Sequence, residues 1–181
     1  MKTAFLGASL AAIVGSVATA DVTYSFTTQP WTGFNFNEAY AAGSLAGTLT
    51  GATVNATLNA STNYTYADDL CVYVAGSPLA LGGMLQCGGF SNLNATQRYS
   101  WANGGSSAPG TTVTGTVNFT TGVNMSANPT MSIWIGNGYG AAGTSGTWTG
   151  SITLLGVSAV PAPGAIALVG LAGLVGRRRR S

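Results

Sequence analysis

From Thr53 to Ala60 apolar and polar residues alternate without a break: Val54, Ala56, Leu58 and Ala60 interleave with Thr53, Asn55, Thr57 and Asn59. A period of two marks a strand with one face on a core and the other in water. Val113, Val117 and Phe119 alternate in the same way around Thr114, Thr116 and Asn118; Met131, Ile133 and Ile135 do so with Trp134 on the opposite face. Further strands are predicted over 22–28, 44–49, 70–75, 84–90, 96–101 and 147–157. Their borders carry turn chemistry, among them Gly76-Ser77-Pro78, Asn103-Gly104-Gly105, Ala108-Pro109-Gly110 and Asn137-Gly138. The best short helical stretch of the body is 38–42. Many short strands without a long helix predict an all-β chain, an antiparallel β-sandwich of jelly-roll type. No fixed-period repeat points to a propeller or solenoid.

The two ends depart from this pattern. Residues 1–20 hold one early charge, Lys2, an apolar run and the small-residue triplet Ala18-Thr19-Ala20. This is the three-part plan of a secretory signal peptide, predicting an N-terminal signal helix cut by signal peptidase between Ala20 and Asp21. At the other end the apolar run 165–176 falls short of the ~20 residues a comfortable membrane span needs. Arg177, Arg178, Arg179 and Arg180 follow it and would hold that end on the cytoplasmic side. The expected organisation is a signal peptide (1–20), a single domain (21–159) and a C-terminal signal (160–181).

Val160, Pro161, Ala162, Pro163 and Gly164, the apolar helix predicted after them and the Arg177 to Arg180 cluster together resemble a PEP-CTERM sorting signal. Ala162 stands where that motif usually has glutamate. The resemblance implies that an exosortase-type membrane protease removes the tail while the body goes to a bacterial cell surface or extracellular matrix. Until then the C-terminal helix anchors the chain transiently in the inner membrane. A permanent tail anchor is the alternative. A second, looser resemblance links "DDLCVYV" and the closing "IGNGYGAAGTSGTWTGSITLLGV" to the accessory jelly-roll domain of subtilisin-like convertases. It favours a sandwich over a barrel.

Setting the ends aside changes the charge. The whole chain is formally +2, but from Asp21 to Ala159 Arg98 is the one basic residue against Asp21, Glu38, Asp68 and Asp69, giving a formal −3. Such a body has no footprint for phosphate, and nucleic acid is not an expected partner. Charged residues are 6% of the chain, and four Trp, seven Tyr and six Phe supply core material, so the composition is that of a folded domain.

The absence of histidine excludes Ser-His-Asp and Cys-His catalysis. A paired-carboxylate glycosidase using Glu38 with Asp68 or Asp69 is the remaining enzymatic option, with no pattern around it, and the expected role is non-enzymatic, structural or adhesive. Cys71 and Cys87, the only cysteines, would form a disulfide in an oxidising compartment or else be two separate buried thiols. Asp68-Asp69 are candidate calcium ligands, or turn and edge charges. No other cofactor is expected. Trp31, Trp101 and Tyr139 fall in or near predicted loops and are candidate contacts to a glycan such as an envelope polysaccharide; alternatively they plug the ends of the sandwich.

Overall fold

The structure, a computed structural model, describes residues 21–78, 82–92 and 94–161. The signal segment with Ala18 and Ala20, the sorting-motif residues Ala162, Pro163 and Gly164, the apolar tail and Arg177 to Arg180 lie outside the described residues.

Among the described residues nine strands run in chain order: β1 Val22–Thr32, β2 Phe36–Tyr40, β3 Leu45–Thr62, β4 Leu70–Ala75, β5 Gly83–Cys87, β6 Ala95–Tyr99, β7 Thr112–Asn124, β8 Ser132–Asn137 and β9 Ser145–Ala159. They form a four-stranded sheet of order β1-β9-β3-β7 and a five-stranded sheet of order β2-β8-β4-β5-β6. The pairing is nested: β1 lies against β9, β2 against β8, β3 against β7 and β4 against β5. The chain behaves as one long hairpin with β4 and β5 at its tip, folded over so that alternate rungs fall in different sheets.

One apolar cluster draws on both sheets. Val54, Leu58, Trp148, Ile152 and Leu154 from the first pack with Leu70, Val72, Val74, Leu85, Ile133 and Ile135 from the second. These are the apolar halves of the alternating patterns, so the period of two became one buried face per strand. Strand β4 differs in being buried at every position. Its unbroken run LCVYVA sends Val72 and Val74 into this core, and Cys71, Tyr73 and Ala75 into a smaller cluster with Phe36 on the opposite face.

The structure corrects several expectations. Residues 38–42 are not helical: β2 pairs along β8, and Phe36 gains a tilted contact with Tyr73 at 6.4 Å between ring centroids. The stretches 44–49 and 53–60 are one strand, because register shifts near Gly51 take up the irregularity without a turn. The arrangement is not wholly antiparallel, since β6 runs parallel to β5 with Gly83 opposite Ala95. Strand β1 continues past Thr28 through an irregularity between Phe26 and Gln29. Pro30 is accommodated because β1 is an edge strand, where its missing N–H interrupts no ladder on the outer side.

The expected Cys71–Cys87 bridge is absent, and both are buried free thiols. Cys87 is opposite Val72 across the β4–β5 ladder and shares its inward face. Cys71, one residue earlier, faces the other side of the sheet. Burial pushes both thiols above their ordinary range.

Candidate functional site

The register gives the molecule two poles. At one, β1 begins and β9 ends; Val22 pairs with Leu154 and Leu45 with Ala159. At the other, Thr32 and Thr62 both pair with Ser145, so β1 and β3 finish where β9 begins. Here too β4 starts and β8 ends, with Leu70 opposite Asn137. Loops from distant parts of the sequence therefore meet at this second pole.

The first loop leaves β3 through Asn63 and Tyr64, which have φ of 51° and 62°. Two successive positive φ values make the mirror-image turn that Asn and Gly favour; a tyrosine there carries the left-handed penalty of its Cβ. The turn is held nonetheless. Thr65 Oγ1 donates to the Thr62 carbonyl at 3.1 Å, Ser61 Oγ to the Thr65 carbonyl at 2.6 Å, and Asn63 Nδ2 to Gly143 O at 3.1 Å. The Tyr64 side chain is left 76% exposed.

A short 3-10 turn, Ala67–Asp69, follows. The buried Asp69 carboxylate accepts the Tyr66 N–H at 2.7 Å on one oxygen and the Phe90 N–H at 3.1 Å on the other. Burial is the main influence on this group, taking its pKa up to about 6; the Tyr66 and Phe90 N–H bonds pull it down and the neighbouring Asp68 charge raises it. Burial raises Asp68 as well. Main-chain bonds tie the loops together: Gly89 N–H to Asp68 O at 2.9 Å, Gly138 N–H to Asp69 O at 2.8 Å, and Ser91 N–H to Gly138 O at 3.0 Å.

The loop after β5 can fold back because Gly88 and Gly89 adopt φ of 79° and 80°. A Cβ on Gly88 would stand 2.2 Å from Leu70 O and from the Trp101 indole nitrogen. Phe90 is fixed through its backbone and mostly exposed in its ring. Asp69 accepts its N–H, Arg98 donates to its carbonyl and to Gly89 O, and the ring is 73% exposed. It meets Tyr139 edge to face at 5.7 Å between centroids.

These groups line a hollow of about 200 Å³ walled by Tyr64, Tyr66, Asp69, Phe90 and Tyr139. A second hollow of about 280 Å³ shares Tyr66, Asp69 and Phe90 with it and extends towards Asp68, Arg98, Ser100 and Trp101. The result is a divided cleft with aromatic walls and carboxylates in its floor.

Of the three aromatics expected from sequence to contact a glycan, Tyr139 is in the cleft. Trp31 is not a surface residue: it is 1% exposed, edge-on to Phe26 at 5.5 Å and 5.7 Å from Trp148. It is pulled into the core because β1 keeps pairing beyond Pro30. Trp101 is likewise buried, its indole N–H donating to Leu70 O at 2.6 Å, although one edge reaches the second hollow. Tyr64, Tyr66 and Phe90 were the missing walls. Their signals were present: tyrosines set among Asn and Thr before the acidic doublet, and a phenylalanine after Gly88-Gly89, which ends β5 at Cys87.

Of the Asp68-Asp69 pair, Asp69 has both oxygens on backbone N–H groups. Among the described residues no cluster of three or more metal-ligating side chains occurs. Glu38 is not brought to the doublet. It lies opposite Trp134, while Asp69 lies level with Gly138, roughly 13 Å further along the sheet at the usual rise per residue. Its carboxylate accepts instead from Ser132 Oγ at 2.7 Å. Compared with known proteins, the chain matches no family model, no curated protein and no solved structure.

Proposed function

We propose that the chain is an exported bacterial cell-surface or extracellular-matrix protein, non-enzymatic and adhesive, whose body is a β-sandwich. Its nested strand pairing supports a jelly roll with β6 added at one edge. In this reading signal peptidase frees Asp21, the C-terminal helix holds the chain at the inner membrane, and an exosortase-type protease cuts at the Val160 to Gly164 motif.

The observation that carries the reading is the polarity of the body. Asp21 and Ala159 adjoin the same pole, whereas the aromatic cleft opens at the other, the length of β9 away, roughly 45 Å at the usual strand rise. A chain tethered by its C-terminus thus presents the cleft outward. The start of the motif is also accessible. Val160 N–H donates to Ser44 O at 2.8 Å, the ladder stops at Pro161, which has no N–H, and both residues are exposed.

Intact-mass measurement of the protein recovered from the cell surface tests it. The expected species begins at Asp21 and ends near Pro161. A species retaining Arg177 to Arg180 makes the tail a permanent anchor and overturns the sorting step.

A further inference from the structure

We propose that the divided cleft at the pole opposite the tail is a binding site for a neutral hexose polysaccharide, with Tyr64, Phe90 and Tyr139 as its stacking surfaces. It supplies a ligand for the adhesive role above, but rests on the cleft's geometry and not on the sorting step.

Three features point this way. Folding normally hides large rings, yet Tyr64 and Phe90 are 76% and 73% exposed beside each other in one hollow. Neither exposure comes from a loose loop. The Tyr64 backbone is held in a left-handed conformation that disfavours tyrosine, and Phe90 is secured through both its N–H and its carbonyl. Backbone strain of this kind persists only where its surroundings hold it, and it clusters at ligand-binding sites. Sugar rings present C–H faces that stack on such aromatic planes, while their hydroxyls need donors and acceptors at the rim. The Tyr64 and Tyr66 hydroxyls and Ser100 provide these.

Charge selects within that class. Asp68 and Asp69 are in the floor, and Arg98, the body's one basic residue, already donates to the Gly89 and Phe90 carbonyls. Acidic polymers would meet two carboxylates against this single guanidinium, so uronic-acid and sulfated glycans are disfavoured. Size selects a chain. Each hollow is below the ~300 Å³ at which small-molecule sites begin, so a ligand using both must lie across the divide formed by Tyr66 and Phe90.

Affinity electrophoresis of the purified full chain, through gels containing a β-glucan, a mannan, a galactan or an acidic polygalacturonate, tests the proposal. Retardation by at least one neutral polymer is expected, weakened about tenfold by Phe90→Ala and by Tyr64→Ala, the upper range for a single aromatic contact. Phe90→Leu, which keeps apolar bulk without a ring face, should fall with Phe90→Ala while melting at the wild-type temperature. No retardation by any neutral polymer, retardation confined to the acidic one, or retardation unaffected by these variants overturns it. The assay does not depend on where the chain is cut, so an uncleaved tail sinks the sorting step and leaves this proposal standing.

Discussion

Asp69 accepts the Phe90 N–H at 3.1 Å across 21 residues of sequence, and in doing so joins the turn before β4 to the loop after β5. The same carboxylate caps its own turn through Tyr66 N–H at 2.7 Å. One buried acid thus positions two of the rings that wall the cleft.

Its titration gives a pH prediction. The folded-state pKa of Asp69 is raised to about 6, chiefly by burial, against about 4 in an unfolded chain. Between these values the folded state binds more protons, so stability is greatest below pH ~4, declines as pH rises to ~6 and levels off above. Asp68 shifts in the same direction. Thermal melts at pH 4.5 and 7.5 should show the higher Tm at the lower pH, with the difference reduced in Asp69→Asn. A higher Tm at pH 7.5 would mean that the N–H bonds outweigh the burial.

Tyr64 should trade stability for exposure. With φ of 62° it carries a penalty that Asn avoids in the same turn. Tyr64→Asn is expected to stabilise the fold by about 1 kcal/mol, raising Tm by about 4 °C. Differential scanning calorimetry decides the matter, and a lowered Tm would show that the ring contributes packing.

Trp31 and Phe90 should behave oppositely. Trp31→Ala empties a buried aromatic contact and is expected to cost about 3–5 kcal/mol. Phe90→Ala removes a ring that is mostly in solvent and should stay within about 0.5 kcal/mol. Urea melts of the two variants give the comparison directly.

Cys71 and Cys87 should remain thiols under oxidising conditions. Intact mass is expected to be unchanged by reduction, and alkylation to reach two sites only after denaturation, since both are buried and face opposite sides of the sheet. A gain of two protons on reduction would require a shift of β4 against β5.

Much of the fold was legible wherever alternation was regular. Val54, Ala56 and Leu58 and the residues around Val113 and Ile133 lie in strands with their apolar positions inward, as the period of two requires, whereas Ala60, beyond the register shift after Leu58, is exposed. Leu70–Ala75 matched to the residue, because an unbroken apolar run between an acidic doublet and a turn has few other solutions. Failures came where long-range pairing overrode local signals. The expected first strand stopped at Thr28, but pairing with β9 carries it on to Thr32, and Trp31 was consequently misplaced. The stretch 38–42 has helix-compatible residues, but β8 supplied a partner edge. An even pair of cysteines in an oxidising compartment suggested a bridge; which face each side chain takes depends on the β4–β5 register, and the sequence does not contain it. The cleft was half legible for the same reason, since Tyr139 was visible as a loop aromatic but its partnership with Phe90 exists only once β8 and β5 share a sheet.

The pairing of the first strand with the last also governs the order of folding. Val22 finds its partner only when Leu154 has arrived, so the outermost rung of the four-stranded sheet cannot close on a growing chain. Loop closure over that span is entropically costly and is repaid late, by β9 inserting between β1 and β3. The strand that completes the body is therefore the one that leads straight into Val160 and Pro161. A chain ending at Val160 would already possess every described strand, whereas one truncated a dozen residues earlier would lack the piece on which both its neighbours depend.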